Sequence, residues 1–241
     1  NPKEEYSKNH IPGAIFFDLD KNSDQDTDLP HMLPTKEKWE EIVSSMGISN
    51  TDRIVIYDNS DVLSSCRGWY NFIYFGHDKH LVSVLDGGLK KWLIENRKTT
   101  NEKIILNKST YRATENKSLV KNIFEVNENI EKKNFTIIDA RSKERFNGSV
   151  PDPRKNVRSG SIPNSVCLPF KEIINSSDNT FKGVSEISKK FSEIIDLNDD
   201  KRVFSCGSGI TACVLGLAYS LVNNTYSPTV YDGSWAEYGR I

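Results

Sequence analysis

Short apolar runs alternate with longer helix-like stretches along most of this sequence. Apolar runs of three or four residues are typical of short buried strands, and longer stretches with apolar positions three and four apart indicate helices. The predicted strands are residues 15–17, 54–57, 82–85, 135–138, 202–205 and 229–231. The predicted helices include residues 36–46, 68–75, 184–195 and 211–222. Strands that alternate with helices predict an α/β fold with a parallel sheet and helices on both faces.

The two halves of the chain also repeat. Three landmarks of the first half, an Ile-Pro pair, a strand end and an Asp-Gly pair, return in the same order in the second half. The matched positions are Pro12 and Pro163, Tyr57 and Ser205, and Asp86 and Asp232, at offsets of 151, 148 and 146 residues. One such match arises by chance, but three at a nearly constant offset indicate a duplicated domain.

The duplication predicts an N-terminal domain at residues 1–97 and a C-terminal domain at residues 119–241. Residues 98–118 are polar, with few apolar positions, and are the predicted linker. The second copy has about 25 residues, including a predicted strand, before Arg145, whereas the first has nine residues before His10. We therefore expect the N-terminal domain to be truncated and to lack the strand and helix that this part of the second copy contains.

The composition excludes several classes of function. The 241 residues carry 32 Lys and Arg against 33 Asp and Glu, so we expect no electrostatic attraction to nucleic acid or to an anionic membrane. The longest apolar stretch, residues 212–219, is far shorter than the ~20 residues that cross a bilayer, which predicts a soluble protein. Four cysteines without a CxxC pair predict neither a disulfide scaffold nor a zinc ribbon. His77 and His80 are expected to be two exposed histidines without further ligands, hence no metal site.

The most informative segment surrounds Cys206, where a predicted strand is followed by a predicted helix. Cys206 comes directly after the strand, Gly207 and Gly209 bend the chain, and an apolar helix begins. Such a loop can turn successive backbone N–H groups toward one point, and the start of the helix adds partial positive charge. This environment favours a thiolate and predicts that Cys206 is a nucleophile near neutral pH. The alternative is a small residue at a strand end, followed by an ordinary glycine turn.

This loop and the repeated Ile-Pro and Asp-Gly motifs resemble the two-domain rhodanese family, and within it the 3-mercaptopyruvate sulfurtransferases. The similarity runs from His10 to Trp235, nearly the whole chain, and its loop is Cys206-Gly207-Ser208-Gly209-Ile210-Thr211. The resemblance implies two tandem rhodanese-like α/β domains, each a mostly parallel sheet flanked by helices. It also implies that the first domain is catalytically silent and that Cys206 in the second becomes a persulfide, with no metal and no organic cofactor. The loop residues expected to bind substrate are Gly207, Gly209, Ile210 and Thr211.

The loop also indicates which sulfur donor fits. Thiosulfate sulfurtransferases typically carry basic residues directly after the cysteine, whereas Gly207 and Ser208 are uncharged. The resemblance implies that Arg145 and Arg154 hold the carboxylate and the keto oxygen of 3-mercaptopyruvate. Guanidinium groups suit this task because they offer paired donors in a plane and stay charged. Without the resemblance, two solvated arginines are the simpler interpretation.

The resemblance further implies a proton-transfer set that spans both domains. The family segment matched by residues 18–20 and 31–34 is proposed to supply an Asp and a His to the loop serine, which here gives Asp20, His31 and Ser208. An aligned Ser-His-Asp chain moves a proton to or from a reacting group, here the substrate or the leaving enolate. This prediction requires an active site between the domains, and a surface or capping role for His31 is the alternative.

The resulting prediction is a sulfurtransferase that moves sulfur from 3-mercaptopyruvate through a Cys206 persulfide and releases pyruvate. The expected acceptors are thioredoxin, small thiols or cyanide, with hydrogen sulfide as a further product. Three alternatives stay open: a thiosulfate:cyanide sulfurtransferase, a cysteine phosphatase, and a non-catalytic rhodanese-like sulfur-carrier or interaction module. The phosphatase is disfavoured because Ala212 stands where its phosphate-binding arginine belongs. We expect a cytoplasmic location, with the mitochondrion as the alternative.

The other cysteines and the Asp-Gly turns are predicted to be structural. The cysteines expected to be structural or in the core are Cys66, Cys167 and Cys213. The turns that follow Asp86 and Asp232 are expected to use the backbone freedom of glycine. The second Ile-Pro motif departs from the family pattern, because Ser161 and Asn164 stand where the family usually shows His and Gly.

Overall fold

A computed structural model describes residues 1–198 and 201–241. Helices and strands alternate along it, as the apolar pattern predicts. The helices are α1 (Pro2–Lys8), α2 (Lys36–Ser45), α3 (Ser65–Tyr74), α4 (Gly88–Ile94), α5 (Ile123–Lys132), α6 (Lys143–Phe146), α7 (Val184–Ser192), α8 (Ile210–Val222) and α9 (Ser234–Tyr238). The strands are β1 (Ile54–Ile56), β2 (Val82–Val84), β3 (Val120–Lys121), β4 (Thr136–Asp139), β5 (Val166–Cys167), β6 (Arg202–Ser205) and β7 (Val230–Tyr231).

The second half of the chain is built around a parallel sheet, which in the described residues has the order β3-β7-β6-β4-β5. Strand β6 is central and all of its residues are buried, among them Phe204, which pairs with Ile138 of β4 and Val230 of β7. Helix α8 follows β6 and packs against both β6 and α7. Cys206 therefore lies at the carboxyl end of a central strand, where parallel sheets commonly bind ligands.

The first half of the chain has a smaller sheet, the parallel pair β1 and β2 in the described residues. Helix α3 packs against both strands and also against α8 of the second half. Buried side chains of the two helices, such as Cys66, Tyr70, Val214 and Leu215, belong to one continuous apolar core. Removing this apolar surface from water stabilises the contact between the halves. The loop that opens α8 consequently lies against the first half of the chain.

The strand predicted at residues 15–17 is not formed. At the offset of 151 residues Ile15 matches Val166 of β5, an edge strand whose hydrogen-bonded neighbour is β4. Within the described N-terminal residues, no counterpart of β4 lies beside β1. Residues 15–17 have no neighbouring strand with which to form a hydrogen-bonded ladder, and the apolar pattern alone does not reveal that.

The predicted linker is partly packed against the first half. Its Tyr111 and Ala113 are buried, at 1% and 4% exposure. The Tyr111 N–H donates to Ser44 Oγ at 3.0 Å, and the Ala113 N–H donates to Glu40 Oε1 at 2.8 Å. These bonds tie the second part of residues 98–118 to helix α2. The domain boundaries themselves stay a prediction.

The structure also bears on two predictions from the sequence, the absence of a membrane-spanning helix and the absence of a metal site. Among the described residues, none of the helices has both the length and the apolar character needed to traverse a bilayer. In that same part of the chain, no group of three or more His, Cys, Asp and Glu side chains is arranged to hold a metal ion.

The prediction that His77 is exposed is wrong. It is buried at 4% exposure, with Nδ1 3.3 Å from the Tyr111 hydroxyl and Nε2 3.0 Å from the Asp52 carbonyl oxygen.

Candidate active site

A buried hydroxyl, that of Ser234, accepts two hydrogen bonds from the loop between β6 and α8. The N–H groups of Cys206 and Gly209 both donate to Ser234 Oγ, at 3.2 and 3.1 Å. Ser234 in turn donates to the Tyr231 carbonyl oxygen at 2.9 Å and is fully buried. Cys206 is itself only 2% exposed. The hydroxyl of Ser234 therefore holds both ends of the cysteine loop against the turn that follows β7.

Several other N–H groups of the loop have no acceptor among the described protein atoms. In the described part of the chain, the N–H groups of Gly207, Ser208 and Thr211 donate no hydrogen bond to a protein atom. Thr211 and Ile210 are half-buried at the first turn of α8, a helix long enough to present partial positive charge there. Gly209 has φ +78°, and a Cβ atom on it would lie 2.8 Å from Arg67 Nη1, so glycine is needed at this bend. The predicted bend is therefore formed, and three N–H groups of the loop are not bonded within the described residues.

Arg145 and Arg154 lie together over this loop. A Cβ atom built on Gly207 would lie 3.2 Å from both terminal nitrogens of Arg154 and 3.4 Å from Arg145 Nη2. Asp152, whose side chain is 1% exposed, joins the two arginines: its Oδ2 is 2.7 Å from Arg145 Nη2, and its Oδ1 is 3.3 Å from Arg154 Nη1. Burial opposes ionisation of Asp152, but the hydrogen bonds from Arg145 and from the Arg154 backbone outweigh it and lower the pKa of this carboxyl.

The predicted proton-transfer set is also assembled, across the two halves of the chain. His31 Nδ1 lies 2.9 Å from Ser208 Oγ, and His31 Nε2 lies 3.0 Å from Asp20 Oδ1. Asp20 is 81% exposed, whereas the His31 side chain is 21% exposed. Burial lowers the pKa of His31 below its ordinary 6.5. The charges of Arg67 and Arg154 act in the same direction, and Asp20 opposes them.

Sequence reasoning missed four residues at the site: Arg67, Asp152, Asp232 and Ser234. Arg67 of α3 is fully buried and forms an ion pair with Asp232, Nη2 to Oδ1 at 2.7 Å, directly behind the cysteine loop. Ser234 fixes the loop itself. The repeated Asp-Gly motif was the signal for Asp232 and Ser234, but it indicated only a turn. Arg67 lies beside Cys66 in a helix with no motif of its own.

The prediction about glycine in the two Asp-Gly turns is correct in one turn and wrong in the other. Gly87 and Gly88 have φ +81° and +52°, in the left-handed region. In the second turn Gly233 has an ordinary φ of −64°, and the left-handed residue is Ser234 at φ +49°.

In the second Ile-Pro motif, Asn164 stands where the family usually shows Gly, and it adopts φ +62°. Asparagine tolerates this left-handed conformation better than most residues, so the position has a backbone conformation that glycine also adopts readily.

The other cysteines are poorly suited to act as nucleophiles. Cys213 is fully buried, which confirms its predicted place in the core, and Cys66, predicted to be structural, is fully buried as well. Burial raises the pKa of Cys66 well above its ordinary value and that of Cys213 to about 12. Cys167 is half-buried, and burial raises its pKa to about 12. At the offset of 148 residues Asp58 stands where Cys206 stands, so the first half has a carboxylate in place of the thiol.

Comparison with known proteins identifies relatives along nearly the whole chain. A family model described as "Rhodanese-like domain" matches residues 1–95 and 124–240. The chain is 40% identical over 260 residues to "Thiosulfate/3-mercaptopyruvate sulfurtransferase 1, mitochondrial" of Arabidopsis thaliana, a match that covers 99% of this chain and 67% of that protein. It is 38% identical to "3-mercaptopyruvate sulfurtransferase" of Homo sapiens, with 98% and 79% covered.

The fold has a counterpart among solved structures as well. The crystal structure of SseA from Escherichia coli, described with the rhodanese fold of 3-mercaptopyruvate sulfotransferases, superposes with a TM-score of 0.85 at 32% identity. The match covers 98% of this chain and 87% of SseA. These matches confirm the predicted α/β architecture of two tandem domains. Because the family model covers both halves and the relatives match 98–99% of this chain, the protein belongs to the rhodanese family and has two rhodanese-like domains.

Proposed function

We propose that this protein is a sulfurtransferase that takes sulfur from 3-mercaptopyruvate onto Cys206 and releases pyruvate. One observation carries the proposal: the arginine pair and the His31–Ser208 contact meet at the same cysteine loop. A keto acid with a thiol needs those groups together, since its anionic end must be held while its carbon–sulfur bond breaks. The 3-mercaptopyruvate sulfurtransferases among its relatives support the same reaction.

Cys206 is the proposed nucleophile. Its thiolate attacks the substrate sulfur, so that an S–S bond forms while the C–S bond breaks and its electron pair goes to carbon as the enolate of pyruvate. The proton of the substrate thiol moves to the enolate, which becomes pyruvate, and the enzyme then carries the persulfide as Cys206–S–S⁻. A positive field stabilises the attacking thiolate. It comes from the start of α8 and from the free N–H groups of Gly207, Ser208 and Thr211.

Arg145 and Arg154 are the proposed anion site. Asp152 accepts from one nitrogen of Arg145 and one of Arg154, which fixes both guanidinium groups and leaves other N–H donors for the substrate. Their side chains are 27% and 30% exposed, so a small anion can reach them from solvent. We assign the carboxylate and the keto oxygen of 3-mercaptopyruvate to this pair, because both carry negative charge as the C–S bond breaks. Gly207, Gly209, Ile210 and Thr211 line the same loop and complete the proposed substrate site.

Asp20, His31 and Ser208 are the proposed proton carriers. With a proton on Nε2, His31 donates to Asp20, and its Nδ1 accepts the hydroxyl proton of Ser208. In this arrangement Ser208 Oγ can take a proton from the substrate thiol as its own proton passes to His31. The chain can then return that proton to the enolate, so no net proton is stored.

The sulfur acceptor and the cellular location are also part of the proposed function. A thiol acceptor, thioredoxin or a small thiol, or cyanide, attacks the outer sulfur of the persulfide and restores the Cys206 thiolate. When the acceptor is a thiol, it becomes a persulfide, and a second thiol then attacks its inner sulfur, forms a disulfide and releases hydrogen sulfide. We propose a cytoplasmic protein, with the mitochondrion as the alternative that the name of the Arabidopsis relative supports.

Thiosulfate is the second candidate donor. The Arabidopsis relative is named for both donors, and an arginine pair attracts either anion. The uncharged Gly207 and Ser208 favour 3-mercaptopyruvate, since two more cations at those positions would suit a doubly charged inorganic anion. Steady-state rates with each donor, measured with the same acceptor, decide the preference.

Intact-protein mass spectrometry after incubation with 3-mercaptopyruvate tests the proposal. We expect the mass of one added sulfur atom, which a reductant removes, together with one equivalent of pyruvate. Cys206→Ser should abolish both signals. The matched control is Cys66→Ala, which removes a buried thiol of high pKa and should keep the adduct. An unmodified wild-type protein would instead support a non-catalytic rhodanese-like module, and an adduct that survives Cys206→Ser would move the reaction to another cysteine.

A further inference from the structure

Arg67 is a buried charge that the proposed chemistry does not use. It belongs to α3 of the N-terminal domain, and its side chain is 1% exposed. Its Nη2 lies 2.7 Å from Oδ1 of Asp232, which follows β7 of the C-terminal domain and is 5% exposed. A buried charge is costly unless it is paired and hydrogen-bonded, so a pair that crosses the domain boundary constrains how the domains meet.

The same ion pair holds the backbone on both sides of the active site. Arg67 Nη2 donates to the His31 carbonyl oxygen at 2.7 Å, and Arg67 Nη1 donates to the Gly209 carbonyl oxygen at 3.4 Å. On the other side of the pair, Asp232 Oδ2 accepts from the Leu33 N–H at 2.8 Å. The pair therefore holds the backbone around His31 and at Gly209, the residue directly after Ser208.

The backbone at His31 needs such support. Its φ is +63°, in the left-handed region that residues other than glycine rarely adopt. Such a conformation persists where the surrounding structure holds it, and the bonds to the His31 carbonyl oxygen and the Leu33 N–H are two of the contacts that do so here. A relaxed backbone would rotate the imidazole and lengthen its 2.9 Å contact with Ser208.

We infer that Arg67 is a positioning residue, which together with Asp232 sets the geometry between His31 and Ser208 and so controls proton transfer without contacting the substrate. The inference rests on the proposed role of Asp20, His31 and Ser208. Arginine is required because its planar fork reaches two carbonyl oxygens and a carboxylate at once. Lysine carries the same charge on a single nitrogen and cannot span all three.

Steady-state kinetics of pyruvate release by Arg67→Gln and Arg67→Lys test the inference. We expect kcat to fall about 10- to 100-fold in both variants, the cost of a misplaced catalytic group. KM should stay within about twofold, because the arginines that bind the anion are untouched. The rate of Cys206 alkylation by iodoacetamide should change little, since the free N–H groups of the loop remain. Asp232→Asn, which keeps the size of the side chain, should behave like Arg67→Gln and replaces it if that variant fails to fold.

A double-mutant cycle separates positioning from a merely structural role. If Arg67 acts through His31, then His31→Asn combined with Arg67→Gln has the kcat of His31→Asn alone. Tyr70→Phe is the matched control: it removes a buried hydrogen bond of the same helix, from the Tyr70 hydroxyl to the Leu119 carbonyl oxygen at 2.6 Å, and keeps the ring beside Arg67. Its kcat should equal that of the wild type.

The outcomes are distinct for each hypothesis. The inference is overturned if the kcat losses of the two single variants multiply in the double variant and Cys206 alkylation is slowed in Arg67→Gln. Arg67 is then a structural residue. A wild-type kcat in His31→Asn overturns the proposed proton-transfer set itself. Loss in His31→Asn together with a wild-type kcat in Arg67→Lys and Asp232→Asn refutes the positioning role alone.

Discussion

The imidazole Nδ1 of His31 lies 2.9 Å from the hydroxyl of Ser208, although 177 residues separate the two in the chain. One residue comes from the N-terminal domain and the other from the cysteine loop of the C-terminal domain. This contact crosses the same boundary at which α3 packs against α8, so the proposed catalytic geometry and the packing of the domains are linked.

Ser208→Ala removes the hydroxyl through which His31 reaches the substrate. We expect kcat for pyruvate release to fall about 10²-fold or more, the usual contribution of a positioned acid–base group. The matched control is Ser205→Ala. Ser205 is a buried serine at the end of β6 whose hydroxyl has no hydrogen-bond partner in the described part of the chain. A similar loss in both variants would point to disturbed packing at the strand end and contradict a role for the hydroxyl.

The lowered pKa of His31 has a consequence for pH dependence. The neutral imidazole of His31 is the form that accepts a proton from Ser208. It is the predominant form at every pH above the pKa of His31. Because burial and the nearby arginines lower that pKa, the acid limb of kcat/KM for 3-mercaptopyruvate should fall below pH 6.5. Asp20 raises the pKa, so Asp20→Asn should move the limb to still lower pH. Alkylation of Cys206 over the same pH range reports thiolate formation separately, and a limb that moves upward in Asp20→Asn would exclude this assignment.

Arg154→Ala tests recognition of the carboxylate. We expect KM for 3-mercaptopyruvate to rise by about 10- to 100-fold, which corresponds to the loss of a charged hydrogen bond of about 1.5–3 kcal/mol. The loss with thiosulfate should be smaller. Arg158→Ala is the control, since Arg158 stacks on Trp235 and Tyr238 instead of on the cysteine loop. Equal losses with the two donors would argue against a specific carboxylate site.

Ser234→Ala should loosen the loop and destabilise the fold. Two buried N–H groups, those of Cys206 and Gly209, lose their acceptor, at a cost of about 1–3 kcal/mol each when no substitute is found. Thermal unfolding should therefore begin several degrees lower, at about 2–4 °C per kcal/mol for a chain of this size. Ser220→Ala removes a hydroxyl bonded within α8, to the Gly216 carbonyl oxygen, and should change the melting temperature little. An unchanged melting temperature in Ser234→Ala would show that another group accepts these bonds.

The sequence by itself determined the strands and helices that frame the site. The apolar runs at residues 54–57, 82–85 and 202–205 overlap β1, β2 and β6, since each run is apolar and short enough to indicate a strand from hydrophobicity alone. Cys206 could be singled out because it follows its strand directly and is followed by two glycines that permit a tight bend. The pairing of Ser208 with His31 came from resemblance to a family, since the spacing of those residues carries no signal.

Only the tertiary structure decided which residues meet. Residues 15–17 have the composition of a strand but form none, because strand formation depends on a neighbour that the local pattern does not specify. Arg67 was one charged residue directly before the helix predicted at residues 68–75, yet it pairs with Asp232 across a distance of 165 residues in the chain. Ser234 looked like part of a turn, yet it holds the cysteine loop. Hydrophobic spacing is a local property that the sequence displays directly, whereas a hydrogen bond or an ion pair between distant segments exists only once packing has brought them together.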